Sequence, residues 1–172
     1  MSQEESPHKD FSPVHPDDYW IRHLLFPWEF PKGDKLHPKF LENFLKKLKP
    51  PPKERPWFLE ISGRMLSQAN DVEEFANRRV EEIKRKNPKI QAAFRGIIYQ
   101  KVSIIREIDT YDVFHEPTHK DSAHANLVRL KEYSEVQGEM SHSVIRELVS
   151  KLQWVKANSS ELTNLLKHGL HQ

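Results

Sequence analysis

With 172 residues, 27 Lys and Arg against 25 Asp and Glu, and a net charge of +2, the chain is sized for one domain or a smaller domain with a long tail. That charge balance gives no general case for nucleic acid or a membrane surface as partner, and the absence of cysteine excludes disulfides, thiolate metal sites and cysteine nucleophiles. Apolar residues make up 37% and charged residues 30%, where typical domains run to roughly 45–50% apolar, so a thin core is expected.

Met1-Ser2-Gln3-Glu4-Glu5 is acidic and leads into no apolar block, which is unlike a secretory signal or an Arg-rich transit peptide. No later run approaches the roughly 18 apolar residues of a membrane span. The expected location is cytoplasmic, with the cytoskeleton or cilium as the alternative. Ten of the twelve prolines fall in residues 1–56, and proline removes an amide donor and breaks helices. The chain therefore divides near residue 56 into an irregular arm and a helical remainder, 57–172. The arm is rich in rings, unlike ordinary disordered tails, and needs a surface to bury them. Trp20, Trp28 and Trp57 are its expected anchors, either onto the helices of the same chain or onto another protein. Within the arm, Phe40, Leu41, Phe44, Leu45 and Leu48 share one helical face, which predicts a short amphipathic helix over 38–49. Lys39, Lys46, Lys47 and Lys49 gather near its other face and C-terminal end.

Beyond the arm, apolar residues recur every three or four positions from Phe58 to Ile83, and the spacing predicts a helix over 57–86. Asp71 with Glu74 is a capping-box arrangement that would restart the helix near residue 70. Asn87-Pro88 is a start signal for a second helix, 88–109, the most apolar part of the chain. A loop follows. The stripe from Leu127 to Val155 predicts a long helix over 122–156, and Ser159 or Ser160 starts a last one, 160–168. The fold class expected from this pattern is all-α: a helical bundle or elongated helical hairpins carrying a Pro/aromatic-rich extended arm.

Three runs carry candidate chemistry. The first is Ile90-Gln91-Ala92-Ala93-Phe94-Arg95-Gly96-Ile97-Ile98-Tyr99-Gln100-Lys101. It resembles the IQ motif, the helical segment through which otherwise unrelated proteins bind calmodulin or related EF-hand light chains. The resemblance covers about a dozen residues. It implies that Ile90 enters the apolar cleft of one partner lobe, Gln91 bonds partner backbone, Arg95 meets acidic groups, and Gly96 lets the other lobe approach. Ile90, Phe94 and Ile97 supply the i, i+4, i+7 anchors that helix-in-groove recognition needs. Lys101 is the second basic residue, one place later than the motif has it, where Gln100 stands. The structural alternative is that this run is the buried face of a bundle's central helix.

The second run, His115-Glu116-Pro117-Thr118-His119, has the letters of the His-Glu-x-x-His zinc protease signature. Pro117 between the histidines opposes the continuous helix that chemistry requires, so solvated loop histidines and no metal site are expected. The third is the Leu127–Val155 stripe, expected to be an internal bundle face. With five glycines and no phosphate loop or nucleophile elbow, neither catalysis nor a cofactor is indicated. The sequence thus reads as a non-catalytic adaptor that binds calmodulin or a calmodulin-like protein through residues 90–101. The alternative is a structural subunit of a larger cytoskeletal or ciliary assembly, held by the aromatic arm.

Overall fold

The computed structural model describes residues 12–26, 59–108, 110–130 and 139–168. Among them are seven strands: β1 (Ser12–Pro13), β2 (Tyr19–Phe26), β3 (Leu59–Met65), β4 (Ala93–Lys101), β5 (Tyr111–His115), β6 (His124–Arg129) and β7 (Gln153–Lys156). Four α-helices accompany them: α1 (Val72–Lys86), α2 (Val102–Glu107), α3 (Glu139–Lys151) and α4 (Ser160–His168). The strands form a single antiparallel sheet in the order β1-β5-β6-β3-β2-β4-β7.

The all-α expectation is therefore corrected to a mixed α/β fold, and the reason lies in the strands. Along β3, Leu59, Ile61 and Met65 face one core, while Glu60, Ser62 and Arg64 face the other way. That is period two, not 3.6. In β4 both sides are covered: Ile98 packs with Trp20 and Leu24, and its neighbour Ile97 packs with Ile21 and Val155. A strand buried on both sides reads as a continuous apolar run, which mimics a buried helix. Among the described residues, the predicted helix 122–156 is strand at β6, helix over α3, and strand again at β7. Among the described residues, the second half of the predicted helix 57–86 is α1, and of 88–109 only α2 is helical.

Two layers of helix cover the sheet. On one face, Val102 and Ile105 of α2 with Ile145, Leu148 and Val149 of α3 pack on Trp20, Leu24, Ile61, Ile98 and Leu127. On the other, Val72 of α1 and Leu162 of α4 pack on Ile21, Ile97 and Val155, and Val80 of α1 packs on Leu25. α1 begins where Asp71 and Glu74 pointed, although the Asp71 side chain makes no cap bond and serves arginines instead. Its first turn carries Glu73 and Glu74 and its last Lys84, Arg85 and Lys86, which complements the helix dipole. No helix among the described residues is long and apolar enough to cross a membrane.

The division at residue 56 does not separate an arm from a domain. β2 lies before that point and pairs with β3 on one side and β4 on the other. Trp20, expected as an arm anchor, has 0% exposure in the main core. Its indole runs beneath Gly63 to donate to the Ala125 carbonyl at 3.2 Å. A Cβ at Gly63 would collide with that indole and come within 2.5 Å of the Ile21 carbonyl oxygen, so the bare α-carbon admits the ring. Trp28, Trp57 and the predicted helix 38–49 lie outside the described residues.

Candidate functional site

Cross-strand partners in an antiparallel sheet point to the same face. Ser62 pairs with Asn126 and Arg64 with His124, so these four side chains form one polar patch on the face that α1 partly roofs. α1 contributes Phe75, Arg78, Arg79 and Glu82, β2 contributes Arg22, His23 and Leu25, and the loop before β6 contributes Lys120 and Asp121. Together they line a cleft of about 480 Å³, within the size range of small-molecule sites. Five cations (Arg22, Arg64, Arg78, Arg79 and Lys120) face two carboxylates (Glu82 and Asp121) in its walls.

Arg64 is the centre of this arrangement, at 5% exposure. Its Nε and Nη2 donate to the two carboxylate oxygens of Asp121, each at 3.0 Å, and Nη2 also donates to Asp71 at 2.9 Å. The guanidinium carbon lies 4.1 Å from the centre of the Phe75 ring. Burial alone opposes the Arg64 charge, but the bonds to Asp121 and Asp71 outweigh it and hold its pKa above the ordinary arginine value. Asp71 in turn is held below the usual carboxylate range, first by its bond from Arg64. Arg64 Nη1 is buried and has no hydrogen-bond partner among the described residues. A donor buried unsatisfied costs about 1–3 kcal/mol.

The two histidines differ. His23 is buried, and because a carbonyl only accepts, its Nε2–H donates to Val72 at 2.9 Å. Burial lowers its pKa to about 4, helped by the nearby Arg64 and Arg22 cations against the opposing effect of the Val72 bond. His124 lies half-buried at the cleft wall, with Nδ1 2.8 Å from the Glu116 carbonyl and Nε2 2.8 Å from Ser62 Oγ. Arg22 reaches from β2 to the Ser62 carbonyl at 2.6 Å.

The IQ-like run lies elsewhere and is not a helix. Ile90 sits half-buried in the turn after α1, Gln91 is exposed, and Phe94 to Lys101 belong to β4, bonded to β2 on one edge and β7 on the other. Leu24 pairs with Gly96 and Leu25 with Phe94, which leaves Arg95 as the extra residue of a β-bulge. Gly96 has φ +151° and its α-carbon faces the Val155 carbonyl of β7, where a Cβ could not fit. Ile97 points into the core, and Lys101 pairs with Asp17 at 3.5 Å. The Arg-Gly pair that reads as a partner-binding signature is thus a device for bending a strand. The run is thus turn and strand, not the helix that the IQ resemblance implies.

His115 ends β5, and its Nε2–H donates to the Ser122 carbonyl at 2.8 Å. Glu116 accepts from Asn126 across the hairpin, and His119 is exposed in the loop. No group of three or more metal-ligating side chains occurs among the described residues. What sequence reasoning missed was Ser62, Arg64 and His124. The alternation of Glu60, Ser62 and Arg64 against Leu59, Ile61 and Met65 was the available signal for the first two. Comparison of the chain with protein-family models, curated proteins and solved structures finds no match.

Proposed function

We propose that the chain binds a small organic anion, through a phosphate or carboxylate group, in the cleft between α1 and strands β3 and β6. The observation that carries this is the lining of that cleft, where five cations stand against two carboxylates around the buried guanidinium of Arg64. An oxyanion in the cleft would pair with these cations through charge-assisted bonds, of the kind worth roughly 1.5–3 kcal/mol. Asp71 and Asp121 fix Nε and Nη2 of Arg64, so the charge at the floor of the cleft is already oriented before the ligand arrives. Arg79 and Lys120, more exposed at the rim, raise the local concentration of anions.

Backbone amide spectra during titration with AMP, with terephthalate and with adenosine test the reading. Saturable shifts at Gly63, Arg64, Lys120 and Asp121 are expected for one or both anions and not for adenosine. Reversing two exposed charges by Arg79→Glu with Lys120→Glu should weaken the anion by roughly tenfold or more, at about 1 kcal/mol per charge in water. Absence of saturation with both anions, or equal shifts with adenosine, refutes it.

A further inference from the structure

We propose that Ser62 and His124 form a nucleophile–base pair that hydrolyses carboxylic esters of anionic acids through an acyl-serine intermediate, resting on the cleft as an anion site. The hydrogen bonds of His124 fix its tautomer. The Glu116 carbonyl can only accept, so His124 Nδ1, at 2.8 Å, carries the proton. In the neutral ring Nε2 then holds a lone pair. Ser62 Oγ, 2.8 Å away, must be the donor of that bond, and its hydroxyl proton points at the base. Nucleophile, base and a third group that orients the base are the three parts of an activated serine.

The orienting group is itself fixed. The Glu116 amide donates to the His124 carbonyl at 2.9 Å, and its carboxylate accepts from the Asn126 side chain on the same face. Ser62 is exposed, so its hydroxyl is within reach of a ligand. The Arg22 guanidinium, 2.6 Å from the Ser62 carbonyl, and Arg64 two residues along the strand put positive charge in the cleft beside Ser62, which would favour a developing oxyanion. In the reaction Ser62 Oγ attacks the ester carbonyl carbon while His124 Nε2 takes the hydroxyl proton. The carbon–oxygen ester bond breaks and His124 returns that proton to the departing alkoxide. Water, deprotonated by His124, then attacks the acyl-serine, releasing the carboxylic acid and restoring Ser62. The net change is ester plus water to acid plus alcohol, with no oxidant or reductant.

The test uses the full chain with diisopropyl fluorophosphate, and with two esters, the mono-4-nitrophenyl ester of terephthalic acid and 4-nitrophenyl benzoate. Mass spectrometry should find one adduct, on Ser62, and the terephthalate ester should turn over roughly tenfold faster than the benzoate, as two unit charges at contact would give. Ser62→Ala should remove both adduct and hydrolysis, with its near-ultraviolet circular dichroism unchanged. His124→Gln should slow acylation about 100-fold or more. An unlabelled Ser62, labelling indifferent to His124→Gln, or hydrolysis retained by Ser62→Ala overturns the proposal. Labelled Ser62 with equal rates on the two esters keeps the pair and fails the anion preference. Anion-induced amide shifts with an inert Ser62 keep the anion site and fail the pair.

Discussion

At the scale of single residues, His23 sets an acid limit on the fold. It is 8% exposed, enclosed by Phe75 and Phe94 with ring centres 5.1 and 5.6 Å away, and it is neutral when folded down to its lowered pKa of about 4. The unfolded chain takes up that proton near the ordinary value of 6.5. Between these values the unfolded state binds more protons, so stability is complete above 6.5 and falls as pH drops toward 4. The expected loss is about 2 kcal/mol between about pH 7.5 and pH 5.0, read from urea midpoints. His23→Leu should abolish most of that slope; an unchanged slope in the variant assigns the acid sensitivity to other groups.

At the scale of elements, β4 shows what a chain reading can and cannot see. Ile97 and Ile98 are adjacent yet enter opposite cores, and with Phe94 they reproduce the three-and-four spacing of a helix. Only the partners on either edge decide between the two. The stripe Val72, Ala76 and Val80 of α1 was legible because one face alone is buried and the other is charged. Ser62 and His124 are 62 residues apart and meet only through the β3–β6 register, which no local pattern encodes. Gly96 gives the element-scale prediction. Its φ of +151° and its closeness to the β7 backbone leave an added methyl nowhere to go. Gly96→Ala should cost about 3 kcal/mol or more in denaturant unfolding, with β7 amides losing exchange protection first. A midpoint equal to the parent's would mean that the bulge does not constrain this position.

At the scale of the whole molecule, the interior position of β2 makes the first part of the chain indispensable. The sheet is continuous only through it, since β3 and β4 do not pair with each other. A chain starting at residue 57 should therefore fail to fold, giving collapsed amide dispersion and no near-ultraviolet circular dichroism. A folded fragment would restore the division of the chain at residue 56. The burial of Trp20 has a further consequence in time. Its indole needs the Ala125 carbonyl, 105 residues onward, and its strand needs β4. At roughly 5–20 residues per second the ribosome takes about 5–20 s to supply them. Until then the nascent chain can offer Trp20 and Leu24 only β3 and then β4 as neighbours, and their core stays incomplete for the length of that synthesis.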